Sequence, residues 1–268
     1  MTGQAFLINA DERELKSIEI RANIADKLNS GENYLIVAVG DSITWGLNHC
    51  NADETYCAEL ARLFADSIPD ASVIRYDGLV TEERSSLGGY SEPVTVQKGN
   101  KGTLTLVKSG VGGDTVRRAI NRFDDYAGAF INGEMPDLFL LMFGINDALI
   151  SDSDKFVSPD VFYRDYAELC RMLKKSNPTA ELVLITPTYN DEGRDTVSSL
   201  DPYSKKVIEL AEKTGLKYID LHKVWMEHLI VGSENYGQWD WLSGTAGDFC
   251  HFSQKGASET ARYLFLNL

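Results

Sequence analysis

Tyr34-Leu35-Ile36-Val37-Ala38-Val39-Gly40-Asp41-Ser42-Ile43-Thr44-Trp45-Gly46 is the stretch from which the fold is read. Its first six residues are apolar without alternation, which suits a strand buried on both faces. Gly40 and Asp41 end the run, and the residues after them read as a turn leading into a helix. A hydroxyl at that turn, on Ser42, would sit at the carboxyl edge of a sheet, within reach of a ligand and of helix N–H donors. On these residues alone the first reading is plainer: Asp41 or Ser42 caps the helix that follows.

Four further short apolar runs recur downstream, at Thr103–Val107, Leu138–Phe143, Glu181–Ile185 and Lys217–Ile219. Each ends near Gly, Asn, Asp or Thr and precedes a helix-like stretch. Helices are expected at Glu12–Leu28, Asp53–Ala65, Thr115–Phe130, Pro159–Lys175, Pro202–Lys213 and Ser253–Leu266, several of them opening on Asp, Ser or Pro. Buried strands alternating with helices predict a mainly parallel sheet covered on both faces, a three-layer α/β/α sandwich. Between residues 66 and 102 lies a longer insertion. There Val94–Gln97 and Thr103–Val107 flank Lys98-Gly99-Asn100-Lys101-Gly102 and predict a β-hairpin. Folded over the sheet it forms a lid or pocket wall; otherwise it is surface decoration.

The chain has 268 residues, 43% of them hydrophobic, enough for one α/β domain over 1–268. Forty acidic residues against 26 basic ones leave a formal charge of −14. That balance argues against nucleic acid and anionic membrane as partners and favours a small neutral or cationic substrate. The opening residues lack the pattern of a signal peptide, and no stretch approaches a membrane span, so a cytoplasmic location is expected. Cys50, Cys57, Cys170 and Cys250 show neither a Cys-x-x-Cys pair nor metal-ligand spacing, and no metal or other cofactor is expected.

Chemistry concentrates in three other places. Asp248-Phe249-Cys250-His251 precedes the last helix. A serine hydroxyl becomes a nucleophile when a neutral imidazole takes its proton and a carboxylate holds that imidazole in the right tautomer. His251 and Asp248 supply both groups from one local loop. The other histidines, His49, His222 and His228, lie in a polar loop and in a helix-like stretch. Ser109-Gly110-Val111-Gly112-Gly113-Asp114-Thr115 is a glycine-rich turn that lets backbone N–H groups approach a ligand. Gly144-Ile145-Asn146-Asp147 presents an amide donor in Asn146. Each of these reads equally as a tight turn or a helix cap. The glycine run fails as a dinucleotide fingerprint, because its third glycine would fall at Thr115 and Asp114 would meet the pyrophosphate. Asp248 and His251 alone do not complete a zinc site, which argues against a metal hydrolase.

Taken in order, Gly-Asp-Ser, Gly-Gly-Asp-Thr, Gly-x-Asn-Asp and Asp-x-x-His resemble the four motif blocks of the SGNH (GDSL) hydrolases, over Gly40 to Gly256. The resemblance implies a flavodoxin-like sandwich and a serine ester hydrolase with no cofactor. It makes Ser42 the nucleophile, His251 the base and Asp248 its orienting acid, with Ser42 N–H, Gly113 N–H and the Asn146 side chain as oxyanion hole. Two departures stand out: Lys108-Ser109 occupies the place of a frequent Asn, and Cys250 adjoins the histidine. The family spans esterases, thioesterases, lysophospholipase-like enzymes and carbohydrate deacetylases, and the reading here is a short-chain ester, with an acetylated saccharide as the natural form. Tyr236, Trp239 and Trp241 are candidates for stacking on a sugar, or else pack a long loop. A non-catalytic carbohydrate-binding module on the same fold is the competing reading.

Overall fold

The computed structural model of the chain describes residues 10–46, 51–81, 86–128, 133–189, 199–232, 239–243, 248 and 250–268. His49, Cys50 and Tyr236 lie outside them, as does the side chain of Trp239. In chain order the strands are β1 (Tyr34–Gly40), β2 (Ser72–Val80), β3 (Leu87–Tyr90), β4 (Val94–Gln97), β5 (Thr103–Gly110), β6 (Leu138–Met142), β7 (Glu181–Ile185) and β8 (Lys217–Ile219). The helices are α1 (Ala10–Ser30), α2 (Ser42–Trp45), α3 (Tyr56–Ser67), α4 (Val116–Asn121), α5 (Asp124–Ala127), α6 (Pro159–Ser176), α7 (Asp201–Thr214), α8 (Leu221–Gly232) and α9 (Gln254–Asn267).

One eight-stranded sheet runs β3-β2-β5-β1-β6-β7-β8, with β4 also paired to β2. From β2 to β8 all neighbours are parallel. β1 and β6 are buried at every position, which is why their sequences are apolar without alternation. Helices α1, α3 and α9 pack together, and α4, α6 and α7 pack together, giving the outer layers of a mixed α/β sandwich. Local signals stop these helices where the sequence changes character. Pro159 opens α6, and Gly215, at φ +70°, closes α7 in the left-handed region where a Cβ would be strained. The stretch Thr115–Phe130 is not one helix: it breaks after Asn121 into α4 and the short α5.

The insertion carries a β-hairpin, although not the expected one. Val94–Gln97 does not pair with Thr103–Val107; both lie against β2, on its opposite sides, β4 antiparallel and β5 parallel. The hairpin is instead β2–β3, with Gly78 opposite Tyr90 and Val80 opposite Leu87. The reason is that β2 adds a sixth parallel strand to the sheet and takes the hydrogen-bonding edge of β5. Its Arg75 and Asp77 hide it from a reading based on apolar runs. Arg75 is buried all the same, bonded to Asp53 at 2.8 Å and to Asp77 at 3.0 Å, while Lys108 of β5 meets Asp77 at 3.2 Å.

What positions the site is the reversal of strand order at β1. The chain leaves β1 for β2 and β5 on one side and later crosses to β6 on the other, so the loops leaving β5 and β6 diverge around β1's carboxyl end. Register keeps the three ends level: Gly40 lies opposite both Gly110 and Met142. Among the described residues, no helix is long and apolar enough to cross a membrane.

Candidate active site

Directly after β1, Asp41 turns the chain and caps α2 by accepting the Ile43 N–H at 2.9 Å. Ser42 therefore begins a one-turn helix that Gly46 ends at φ +83°. The turn is pressed onto β5. A Cβ on Gly110 would stand 2.2 Å from the Trp45 nitrogen, so only glycine admits the approach. The capping role and the available hydroxyl are thus divided between neighbours: Asp41 caps, and the buried Ser42 side chain is left for other partners.

Its partner comes from the far end of the chain. Ser42 Oγ lies 2.8 Å from His251 Nε2, and His251 Nδ1 lies 2.8 Å from Asp248 Oδ2. Asp248 Oδ1 accepts the backbone N–H groups of His251 and Cys250 at 3.1 and 3.2 Å. Burial opposes the charge of Asp248, but the His251 N–H and imidazole outweigh it and hold the carboxyl below its usual range. It is therefore ionised at neutral pH. The Cys250 thiol is pushed the other way, by burial and by the Asp248 charge.

An aromatic cluster supports this loop. Trp225 of α8 stacks on Phe252 and meets Trp241 edge-on, and His228 stacks on Trp241 with ring centres 3.6 Å apart. Leu242 bridges to Phe252, Ser243 N–H donates to the His251 carbonyl at 2.9 Å, and Ser253 caps α9 through the Gly256 N–H. Trp241 is only 9% exposed, with one face against His228. Of the two roles the sequence offers, sugar platform or loop packing, these contacts are those of packing. Trp239 shares the 3-10 turn Trp239–Trp241 with it.

The turns after β5 and β6 meet each other past the end of β1. Gly113 takes φ +75°, and Asn146 Nδ2 donates to the carbonyl of the next residue, Asp114, at 2.9 Å. Asn146 and Gly113 are thus tied together across two loops. Asp147 reaches across to α4, whose N-cap is Thr115, and accepts the Val116 N–H at 3.2 Å, and burial pushes its carboxyl well up.

A buried ion pair that the sequence does not advertise sits beneath these turns. Arg122 Nε meets Asp114 at 2.6 Å, and its other nitrogens reach the Ser109 carbonyl at 3.0 Å and the Gly40 carbonyl at 3.4 Å. One guanidinium so joins the ends of β1 and β5 to the Gly113 turn. Burial still outweighs the guanidinium and raises Asp114 to about 6, and burial raises Asp41 to about 7. Tyr90 of β3 donates to Ser109 Oγ at 3.1 Å and to the Asp125 carbonyl at 2.9 Å. The insertion thereby braces the second motif.

Next to Ser42 and His251 lies a small recess walled by Thr55, Tyr56, Phe252 and Ala257. A wider cleft, lined by Ile20, Glu181 and Lys217, opens at the amino end of β7, away from Ser42.

With serine, imidazole and carboxylate in one hydrogen-bonded line, comparison with known proteins becomes informative. Among curated proteins no relative matches. Several solved structures share the fold. An acetyl xylan esterase matches with TM-score 0.59 and 19% identity over 86% of this chain and 98% of its own. An acetylxylan esterase from Geobacillus stearothermophilus matches with TM-score 0.59 and 21% identity, over 89% and 95%. A lipase/acylhydrolase from Enterococcus faecalis matches with TM-score 0.56 and 20% identity, over 87% and 93%. The family model of the GDSL-like lipases and acylhydrolases matches residues 38–258, which takes in the end of β1, all four motifs and the start of α9. The chain belongs to the GDSL-like lipase/acylhydrolase family and is an ester hydrolase.

Proposed function

We propose that the chain cleaves short-chain carboxylic esters through an acyl-enzyme on Ser42, with O-acetyl groups of saccharides as its substrates. The observation that carries this reading is the line Asp248–His251–Ser42, with both links at 2.8 Å. Ser42 Oγ attacks the acyl carbon while His251 Nε2 takes its proton; Asp248, ionised, holds Nδ1 and stabilises the imidazolium. The tetrahedral oxyanion is held by Ser42 N–H, Gly113 N–H and the Asn146 amide. That amide has two hydrogens, and the bond to Asp114 uses one of them. His251 then protonates the departing alcohol, and a water repeats the sequence to free the acid.

The small size of the recess beside Ser42 supports a short acyl group over a long one. Its apolar wall of Phe252 and Ala257 suits a methyl group. The saccharide alcohol is supported by structural neighbours that are acetyl xylan esterases.

Hydrolysis of acetyl, butyryl and octanoyl aryl esters beside acetylated xylo-oligosaccharides tests the reading. Acetyl should be preferred and Ser42→Ala should be inactive yet folded. A preference for octanoyl would overturn the substrate, and wild-type rates in Ser42→Ala would overturn the nucleophile.

A further inference from the structure

We propose that Asp248, Cys250 and His251 form a three-ligand site for a thiophilic divalent cation such as Zn²⁺, and that its occupation switches the hydrolase off. Zinc bonds of about 2.0–2.3 Å to N, O and S place tetrahedral ligands roughly 3.3–3.6 Å apart. Here Cys250 Sγ lies 3.7 Å from His251 Nδ1 and 3.9 Å from Asp248 Oδ1, and Nδ1 lies 2.8 Å from Oδ2. Each spacing is within about half an ångström of the tetrahedral one. The two Asp248 spacings involve its two different carboxylate oxygens; one donor atom from each of the three residues lies within 4.8 Å of the other two, and the group is partly exposed, so water or buffer can fill the fourth position. A thiolate with an imidazole selects Zn²⁺, Cd²⁺ or Co²⁺ over the oxygen-seeking Mg²⁺ and Ca²⁺.

The proton balance explains the loss of activity. In the state that the reaction needs, the neutral imidazole carries its proton on Nδ1, toward Asp248, and offers the Nε2 lone pair to Ser42. A metal on Nδ1 moves that proton to Nε2, and the thiol releases its own to solvent. Nε2–H can donate to Ser42 but cannot take its proton, and Asp248 is drawn to the metal. The effect on turnover rests on the serine-hydrolase reading above; the binding does not.

The test is a titration of the purified chain with Zn²⁺, Mg²⁺ and Ca²⁺ during ester hydrolysis, beside Co²⁺ absorption spectra. Cys250→Ser and Cys250→Ala are compared with wild type, each relative to its own metal-free rate. Zn²⁺ should abolish wild-type turnover, a chelator should restore it, and Mg²⁺ and Ca²⁺ should do nothing. Both variants should need about tenfold more Zn²⁺ or beyond for half-inhibition, since even outer partners of a metal ligand are worth 10–100-fold in affinity. Co²⁺ should give a thiolate charge-transfer band in wild type that both variants lack. Equal Zn²⁺ sensitivity in wild type and both variants, or no such band in wild type, would overturn the site. If the wild type cleaves no ester, the Co²⁺ band still decides: its presence upholds the site while the proposed function falls.

Discussion

Asp41 and Ser42 divide two roles that usually compete for one residue. Because the Asp41 carboxylate satisfies the Ile43 N–H, the serine hydroxyl owes nothing to the helix and faces His251. Ser42→Ala and His251→Ala should each remove nearly all turnover, and the double variant should be no slower, because such groups act as a unit. Single and double variants assayed on one acetyl ester check this. Asn146→Ala should lower kcat by about 10²–10³ with KM little changed, as expected of a donor that meets only the developing oxyanion. Asp41 also makes a prediction about pH. Its folded pKa, about 7, lies above its ordinary 3.8, so the native state holds the proton over that interval and stability falls as pH rises from about 4 to 7. Asp41→Asn keeps an oxygen for the cap and loses the charge, so thermal melts across pH 4–7 should show a flatter slope than wild type. At this scale the hydrogen-bonded line of Ser42, His251 and Asp248 was legible because their motifs are local, and the meeting of Asn146 with the Gly113–Asp114 turn because each follows a strand. Arg122 was not: an arginine in a helical stretch looks like a solvated charge, and only the meeting of three loops shows it is buried. Nor does the sequence show how Cys250 stands to its neighbours, because its distances to Asp248 and His251 depend on how the loop folds.

Among the elements, the five apolar runs became strands at almost the residues expected, since burial on both faces leaves an unmistakable pattern. β2 escaped because Arg75 and Asp77 interrupt its apolar positions, yet both charges are shielded by partners from β5 and from the turn before α3. Asp77→Leu should therefore cost about 3–5 kcal/mol, the usual effect of leaving a buried charge, here Lys108, without its partner. Urea unfolding of wild type and variant measures it. Replacing Arg75, Asp77 and Lys108 together by apolar residues should be much milder, since no charge is then stranded. The hairpin expected at 94–107 failed for a related reason. Two strands close in sequence pair by default, unless a third strand supplies a better edge, and nothing local announces the third. Glycines show the same tension between local and distant causes. Gly110→Ala should lower both thermal midpoint and activity, because its Cβ would push the α2 turn that carries Ser42.

The whole molecule carries a charge of −14, yet the groups that meet at Ser42 are local and short-ranged. Anionic esters should therefore be captured slowly at low salt, and their kcat/KM should rise with ionic strength while that of neutral esters stays flat. Steady-state rates on a charged and an uncharged acetyl ester between 10 mM and 500 mM salt, about 30 Å to under 5 Å in screening length, test this. The sandwich itself was legible at this scale from the alternation of strands and helices. The place of the insertion was not, because sheet order depends on pairings far apart in sequence. The bond between Ser42 and His251 spans 209 positions along the chain, more than three quarters of its length. The helix that carries Ser42 precedes His251 along the chain, and the bond between them waits until α9 has docked against α3 and the last loop has closed. Recovery of esterase activity after dilution from denaturant is then a clock for the final tertiary event, and it should lag behind the return of helical signal.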